Sequence, residues 1–374
     1  MKSTTIQPHI CHLVLGLPLG GTEALVTYML RNPPEGYRSS AVCLDEIGIL
    51  GESALADGRT VTLIPRGHRF DWRVARKIAQ YCKAHKVDIL HCHHYTPWCY
   101  GALARLWNPN PRVVFTEHGR LYPDEPSFKR RLFNKAILPL TDVITAVSPF
   151  VADALASVEQ IPPHRISVIF NGVDEARFVN LPDKRELRNT LGLDHETLYF
   201  ILCSRLDPIK WIEGLLAAFR SVIDAFAGCR LLLIGEGEAR GRIEADIERL
   251  HLGGAVLLAG YRRNVPEWLA ASDIFVLSSH SEGTSVSLVE SMAAGLPSVV
   301  TNAGGNAYVV EDGVTGIVVP VRDVDALAAA MLSLARDPDL RRRYAENAHR
   351  RFRNLFAMSR MLNSYAAVYE KLMN

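Results

Sequence analysis

Two glutamates at a fixed spacing are the most chemically informative residues of this sequence. Glu282 and Glu290 have seven residues between them, and the first lies in a turn that follows the apolar run 273–277. A turn from a buried strand into a helix aims free backbone N–H groups and the positive end of the helix dipole beyond the sheet, which suits a phosphate. Two carboxylates about two helical turns apart suit hydroxyl groups, so the pattern predicts a ligand made of sugar, diphosphate and nucleoside. The predicted anion-binding residues are Gly283, Thr284, Ser285 and Val286.

The same stretch resembles a family signature. Residues 282–297 read E-G-x-x-x-x-x-x-E-x-M-A-x-G-x-P, which resembles the retaining nucleotide-sugar glycosyltransferases of family four with the GT-B fold. The resemblance implies that Glu282 contacts the donor sugar and Glu290 the ribose hydroxyls. An ordinary amphipathic helix is the alternative, and the preceding strand and the Ala-Ala-Gly-Leu-Pro ending argue against it.

Two cations follow the first strand of the second half. Arg205 and Lys210 lie beyond the predicted strand end, where two positive charges suit a diphosphate better than a plain surface does. The alternative is a pair of solvated charges. The segment resembles the family pattern G-R-L-x-x-x-K-G, in which the arginine and lysine contact the phosphates. Ser204 and Trp211 stand here in place of its glycines, which questions the local backbone path but not the charges.

The first half contains a glycine loop and a histidine of interest. Gly20 and Gly21 precede a helix, where a ligand could approach the backbone closely, although a tight turn alone explains them equally well. The loop resembles the family segment that closes over the diphosphate. His118 ends a predicted strand; a lone histidine is more often structural, but the resemblance implies a hydrogen bond near the transferred sugar.

Other assignments rest on the resemblance. Gly235, Tyr261 and Arg262 lie in loops similar to those that surround the base in the family, and Asn171 is assigned to the same nucleotide-sugar site. Such contacts use mostly backbone, so they do not select the base.

The run His91-Cys92-His93-His94 contains zinc-ligand residue types. Adjacent residues on an extended chain alternate faces and cannot all reach one ion, and the spacing fits no usual zinc site, so no metal is predicted. The resemblance implies histidines at the rim of a cleft, with an acceptor or packing role. It also implies that no metal cofactor is needed, because Arg205, Lys210 and helix N-termini neutralise the leaving diphosphate.

Length and composition set limits on the fold and the partners. The 374 residues suit two α/β domains, and 48% hydrophobic residues suffice for two buried sheets. A net charge of +2 argues against nucleic acid as the main partner. No apolar run is long enough to span a bilayer, and the stretch 10–19 lacks the features of a signal peptide. Seven cysteines without paired spacing indicate reduced thiols and a cytoplasmic protein.

Short apolar strands alternate with amphipathic segments along the whole chain. This pattern predicts an α/β fold of two doubly wound Rossmann-like domains. The first covers 1–178, with 354–374 packing back on it as a final helix near Asn354–Leu372, and the second covers 183–353. Because ligands of such sheets bind beyond the carboxyl ends of the strands, the active site is expected between the halves. The predicted strands are 9–15, 40–44, 61–64, 89–91, 113–116, 143–146, 166–169, 199–204, 230–234, 255–259, 274–277, 298–301 and 316–319.

Basic and aromatic residues are mixed in two stretches of the first half, 66–73 and 128–135. Solvated helix faces are the plain interpretation. The sharper hypothesis is an acceptor surface that meets a lipid-linked glycan or the inner face of an anionic membrane.

These observations favour a retaining glycosyltransferase that moves a hexose from a nucleoside diphosphate sugar, a UDP-sugar by family frequency, to a hydroxyl of a glycan or lipid-linked acceptor. Bacterial surface polysaccharide or glycolipid synthesis is the expected setting. The predicted catalytic residues are His118, Arg205, Lys210 and Glu282. The alternatives are a nucleotide-sugar epimerase of the same fold, whose additional acids and bases are not identifiable, and a non-catalytic sugar-nucleotide-binding subunit.

Overall fold

The computed structural model describes residues 7–119 and 127–374. The chain divides into two compact units. Unit 1 runs to Asn171 and includes Met361–Asn374, and unit 2 is Gly172–Arg360. This division comes before the predicted domain end at 178, because Val173 belongs by its hydrogen bonds to unit 2: its N–H donates to the Phe356 carbonyl and its own carbonyl accepts from the Met358 N–H, each at 2.9 Å.

The described part of unit 1 contains a seven-stranded parallel sheet. Leu13 and Val14 are buried on its opposite faces, as expected for a parallel sheet covered by helices on both sides. The strands are β1 (His9–Gly16), β2 (Arg38–Glu46), β3 (Thr60–Leu63), β4 (Ile89–His93), β5 (Arg112–Glu117), β6 (Val143–Ala146) and β7 (Ile166–Val168). The helices are α1 (Gly21–Arg31), α2 (Gly48–Ala56), α3 (Trp72–Ala84), α4 (Tyr95–Ala104), α5 (Phe128–Ile137) and α6 (Pro149–Ser157).

Unit 2 has a six-stranded parallel sheet of the same kind. Its strands are β8 (Leu198–Cys203), β9 (Cys229–Ile234), β10 (Val256–Gly260), β11 (Ile274–Leu277), β12 (Ser298–Thr301) and β13 (Gly316–Val319). Its helices are α7 (Lys184–Leu191), α8 (Ile212–Ala225), α9 (Arg240–Arg249), α10 (Val265–Ala271), α11 (Val286–Ala293), α12 (Asn306–Val309), α13 (Val324–Arg336) and α14 (Pro338–Arg351). The predicted strands of both halves are confirmed, with ends that differ by at most two residues.

Both sheets are doubly wound, with the strand orders β3-β2-β1-β4-β5-β6-β7 and β10-β9-β8-β11-β12-β13. In each, the order reverses beside the first strand, between β1 and β4 in unit 1 and between β8 and β11 in unit 2. Loops that leave the carboxyl ends of these strands diverge and leave a crevice, which is where such sheets bind ligands. The predicted two-domain α/β fold is confirmed.

The last helix, α15 (Met358–Met373), begins four residues later than predicted because a π-helical turn, Phe352–Phe356, occupies the segment before it. The buried side chains of Tyr365 and Tyr369 hydrogen-bond to Thr116 and His91 of unit 1. In the described residues, none of the helices has the length and apolar character that crossing a bilayer requires. All seven cysteines are buried and unpaired.

Candidate functional site

Two loops of unit 2 lie at the point where its strand order reverses. One follows β8 and contains a short 3₁₀ turn, Pro208–Lys210, capped by the Asp207 carboxylate, which accepts a hydrogen bond from the Ile209 N–H at 3.0 Å. The other follows β11. The loops are tied together because the His280 N–H donates to the Ile209 carbonyl at 2.8 Å and the Ser278 hydroxyl donates to the Lys210 carbonyl at 2.7 Å. Their side chains are therefore fixed relative to one another.

Trp211 shows how this chain tolerates the loss of a family glycine. Its φ is +49°, in the left-handed region, which costs a residue other than glycine roughly 1–2 kcal/mol. The indole ring lies against Gly214, where any added Cβ would collide with it, and its centroid is 5.4 Å from that of His280. Trp211 thus adopts a conformation that glycine reaches readily, and the packing of its ring offsets the strain.

Lys210 and Glu282 form an ion pair between these loops. The Lys210 Nζ atom is 2.5 Å from Glu282 Oε1, and the Ser279 hydroxyl donates to the same oxygen at 2.6 Å. Both side chains are largely buried. Arg205 differs, because its side chain is 74% exposed and pairs with Asp207 at 2.8 Å. Of the predicted charged residues in unit 2, the structure brings together Lys210 and Glu282, whereas Arg205 lies on the surface of the loop after β8.

The turn before α11 is built by close backbone approach. The Gly305 N–H donates to the Glu282 carbonyl at 2.8 Å, and Gly304, at φ +54°, lies so close to that carbonyl that any Cβ would collide with it. The Ser285 hydroxyl caps the helix by accepting from the Leu288 N–H. The helix begins at Val286, so the first-turn amides have no partner within the helix. Thr284 and Ser285 are buried, and Gly283 and Val286 complete the predicted anion-binding turn.

Glu290 lies inside α11 and is paired with a residue that the sequence did not indicate. Its Oε1 atom accepts from Arg177 Nη1 at 2.6 Å. Burial raises the pKa of Glu290, and the Arg177 charge and hydrogen bond act against that rise. Arg177 lies in the short turn Glu175–Phe178, at the predicted end of the first domain. The clue to this pair is chemical rather than a sequence pattern, because a carboxylate that is buried in a helix needs a cation beside it.

The loops assigned to the base lie at the ends of β9 and β10. Gly235, at φ +141°, packs so tightly against the Ser204 carbonyl that any Cβ would collide with it. Its N–H donates to the Gly260 carbonyl at 2.9 Å, which joins the two loops. Tyr261 is exposed, and the Arg262 guanidinium lies 5.8 Å from the centroid of the Trp268 ring.

In unit 1, the glycine loop leads into α1 as predicted, with Gly20 at its N-cap and Gly21 as its first residue. The carboxylate of Glu23 folds back over Gly20, where it would collide with any Cβ. A side-chain anion therefore lies at this helix start, where the sequence suggested a ligand phosphate.

The end of β5 holds His118 in a buried polar setting. Glu117 Oε1 accepts from the backbone N–H groups of His118 and Gly119 and lies 3.2 Å from His94 Nδ1. Burial and the nearby His94 charge lower the pKa of His118, and buried Asn171 acts weakly against them. Burial alone would lower the pKa of His94, but bonding to Glu117 raises it overall. The Nδ1 atom of His118 has no well-aligned partner among the described residues.

The residues of the run 91–94 do not all converge, as predicted, but two of its histidines meet a third from the neighbouring strand. His91 and His93 share one face of β4 and meet His12 of β1, so that nitrogens of the three lie within 4.8 Å of one another. Cys92 packs in the apolar core, and His94 is the N-cap residue of α4. His12 was missed because only the sheet order, which sets it beside His91, reveals it. His91 and His93 are also fully buried, so the rim position expected for them is wrong.

Three histidines are a set that zinc can use, but hydrogen bonds already engage these nitrogens. His91 Nδ1 and Nε2 bond to the hydroxyls of Tyr369 and Thr116, each at 2.7 Å. His12 Nδ1 lies 3.0 Å from His93 Nε2. The group is satisfied as a hydrogen-bonded core cluster.

Two family models match the chain. The model described as "Glycosyltransferase Family 4" covers residues 19–177, and that described as "Glycosyl transferases group 1" covers residues 183–351. These spans coincide closely with the two Rossmann-like domains.

Two named relatives have the same sequence identity to this chain. An N-acetyl-alpha-D-glucosaminyl L-malate synthase of Bacillus anthracis is 27% identical over 80% of this chain and 79% of its own length. A UDP-Gal:alpha-D-GlcNAc-diphosphoundecaprenol alpha-1,3-galactosyltransferase of Escherichia coli is 27% identical over 90% of each chain.

Solved structures support the same fold. A glycosyltransferase from Rickettsia africae superposes with a TM-score of 0.86 at 20% identity, over 98% of this chain and 99% of its own. HepE of Anabaena in complex with UDP superposes with a TM-score of 0.86 at 21% identity, over 97% and 100%. The family models match both halves of the chain, and the structure has two parallel-sheet domains with the two glutamates and their cations around α11. The chain is therefore a glycosyltransferase of the family-four type with the GT-B fold.

Proposed function

We propose that the protein is a retaining glycosyltransferase that moves a hexose from a UDP-sugar to a hydroxyl of a glycan or lipid-linked acceptor. The observation that carries this proposal is the cluster at α11, where Lys210 lies beside Glu282, and Glu290 is buried farther along the same helix. A cation beside a helix start suits a leaving diphosphate, and the carboxylates suit sugar and ribose hydroxyls. Front-side attack, in which the leaving phosphate oxygen takes the acceptor proton, follows from the family resemblance.

The preference for a UDP-sugar has support from relatives. The galactosyltransferase of Escherichia coli is named for UDP-Gal, and the Anabaena protein was also solved with UDP-glucose. The roles of Gly20, Gly21, Asn171 and His118 in unit 1, and of Gly235, Tyr261 and Arg262 around the base, remain predictions. Catalysis without a metal ion is part of the proposal, because Arg205 and Lys210 provide positive charge for the diphosphate.

The acceptor side of the proposal concerns an exposed surface of unit 1. The structure brings the two basic-aromatic stretches together, with the ring of Phe70 6.2 Å from that of Phe133. Phe128 is 80% exposed, and Trp72 stacks on Trp107. Apolar rings among lysines and arginines suit a peripheral contact with an anionic membrane on its cytoplasmic face, where a lipid-linked acceptor is reached. Cosedimentation of the protein with vesicles that contain anionic lipid tests this membrane contact. Neutral vesicles and the Phe128→Ser variant are the controls, and both should reduce binding.

The donor reaction has a direct test. The purified protein is incubated separately with UDP-glucose, UDP-N-acetylglucosamine and GDP-mannose, and the products are separated. Slow release of free nucleoside diphosphate, with the liberated sugar first appearing as the α-anomer, is expected of a retaining transferase. An altered sugar still attached to the nucleotide identifies an epimerase, and binding without turnover identifies a non-catalytic subunit. Thermal shift with UDP against GDP selects the base.

A further inference from the structure

Three imidazoles of unit 1 form a continuous hydrogen-bonded chain. His12 Nδ1 lies 3.0 Å from His93 Nε2, and His93 Nδ1 lies 2.9 Å from His118 Nε2. All three rings are at least 95% buried. The chain thus links the interior of the sheet, at β1, to the residue just beyond the end of β5.

The hydrogen bonds along these three imidazoles must all run in the same direction. A neutral imidazole carries one N–H donor and one bare nitrogen, so His93 must donate through one ring nitrogen and accept through the other. Burial lowers the pKa of each of these histidines, that of His12 to about 3, which keeps the rings neutral. The donors therefore point either all toward His118 or all toward His12. In both arrangements Nε2 of His118 is engaged with His93, so Nδ1 is the nitrogen left for other partners, which are the Asn171 side chain nearby and, on binding, a ligand.

We propose that His93, held in turn by His12, is a positioning residue that fixes the ring plane and the tautomer of His118, so that Nδ1 presents one defined hydrogen-bonding character to the bound donor. The inference rests on the proposed function for the identity of that ligand. The link between the rings stands on the geometry alone.

His91 provides a control within the same cluster. Its ring centroid is 4.1 Å from that of His93 and it is equally buried, yet both of its nitrogens bond to the hydroxyls of Tyr369 and Thr116. His91 therefore packs against the three hydrogen-bonded imidazoles but is not hydrogen-bonded to them. A role in packing and a role in positioning can therefore be separated by comparing the two positions.

The test uses a pair of variants that keep different halves of the His93 ring. An asparagine amide reaches the place of ring Nδ1, which faces His118, whereas a glutamine amide reaches the place of Nε2, which faces His12. We expect ¹⁵N chemical shifts of labelled histidine to show one tautomer of His118 in the native protein and a mixture in His93→Gln. His93→Asn should be intermediate, because its amide keeps a contact with His118 but loses the hold of His12. The kcat for UDP-glucose hydrolysis should fall about 10–100-fold in His93→Gln, by analogy with the loss seen when the partner that orients a metal-bound histidine is removed.

The KM for UDP-glucose should change far less than kcat, and His93→Asn should retain most activity. His91→Asn should lower stability and leave the His118 tautomer and kcat in place. If His93→Gln does not fold, His12→Asn and His12→Gln replace the pair, because His12 uses Nδ1 and only asparagine preserves that contact.

Several results overturn the proposal. These are an unchanged His118 tautomer in His93→Gln, equal loss of kcat in both His93 variants, or stoichiometric zinc bound to the histidines. A tautomer that responds as expected in a protein that turns over no nucleotide sugar would instead refute the proposed function and leave the positioning role intact.

Discussion

Around α11, unit 2 buries carboxylates beside cations, whereas at β1 and β4 unit 1 buries imidazoles beside one another. In unit 2, Lys210 is paired with Glu282 and Arg177 with Glu290. In unit 1, His93 bonds to His12 and His118. Both arrangements satisfy polar groups that would otherwise be costly to bury, but they do so with different kinds of bond.

This difference indicates which groups can change their hydrogen bonds when a ligand binds. A charged pair at a strand end can give part of its hydrogen bonding to phosphate or hydroxyl oxygens and keep the charge balanced. A chain of neutral rings cannot gain or lose one proton without rearranging its bonds, so it fixes geometry. We infer that unit 2 supplies the electrostatic component of the reaction and unit 1 the orientation of His118.

The largest effect is expected at Lys210. If this cation stabilises the departing diphosphate more than the bound donor, Lys210→Ala should lower kcat for UDP-glucose hydrolysis by about 10²-fold or more. The matched control is Lys184→Ala, which removes another lysine ion pair of unit 2, that with Asp273, and should leave kcat unchanged. A rise in KM with an unchanged kcat would make Lys210 a binding contact only.

The variant also leaves Glu282 without its cation. The double variant Lys210→Ala with Glu282→Gln should therefore recover thermal stability without recovering kcat, because the unpaired buried charge is removed while the catalytic cation is still missing. Recovery of both properties together would show that the kcat loss came from misfolding.

Glu290 tests the second charged pair. Glu290→Ala should weaken UDP binding by about 1.5–3 kcal/mol, the range for a hydrogen bond to a charged group, as measured by calorimetry. Arg177→Met should make UDP affinity fall as the pH falls, because the Arg177 charge is what opposes the burial-raised pKa of Glu290. Glu311→Ala, which removes an exposed carboxylate paired with Arg351, is the control. Unchanged affinity in Glu290→Ala would refute the ribose contact.

Local patterns were enough to predict the strands, the α11 turn and the position of two cations, Arg205 and Lys210, after β8. Buried strands have continuous apolar runs, and the strand-to-helix turn has its own glycine and capping signals, so each is encoded within about ten residues. The ion pair between Lys210 and Glu282 could not be predicted from such a local pattern. A strand-end cation can meet a ligand or a carboxylate from another loop, and only the folded structure shows that it meets Glu282.

Arg177 and His12 could not be predicted because their partners are distant in sequence. Arg177 bonds to a residue 113 positions later, and its own neighbourhood has the composition of a linker. His12 meets His91 because β1 adjoins β4, and the order of strands is a property of the whole sheet. The alternation argument used for the run 91–94 was sound for that strand but ignored its neighbours.

The imidazole cluster should make unit 1 sensitive to acid. The pKa of His12, and those of His91, His93 and His118, are lowered by burial, so the unfolded chain binds protons first. Their contribution is fully present above about pH 6.5 and is lost as the pH falls toward the folded values, by up to about 1.4 kcal/mol per pH unit for each histidine. Urea unfolding followed by tryptophan fluorescence, in a background with Trp211 and Trp268 of unit 2 replaced by phenylalanine, reports on this unit.

His94 supplies the contrast, because its pKa is raised and its contribution is present below the unfolded value and lost as the pH rises. His93→Phe should therefore flatten the acid loss, and His94→Phe should steepen it. Equal pH dependence in both variants and the native protein would show that these rings do not control the transition.

The smallest effect is expected from removal of metal ions. Unit 2 already places Arg205 and Lys210 after β8, so a divalent ion at the diphosphate would add charge where cations are present. In unit 1, the nitrogens of His12, His91 and His93 that approach one another are engaged in hydrogen bonds, and a buried dication there would have to break them. We expect EDTA to leave UDP-glucose hydrolysis intact and elemental analysis to find far less than one zinc per chain. Activity lost with EDTA and restored by Mg²⁺, Mn²⁺ or Zn²⁺ would require that the roles given to Arg205 and Lys210 be withdrawn. Zinc bound at the histidines without an effect on activity would instead reassign the cluster of unit 1 and leave the charged pairs of unit 2 as the source of catalysis.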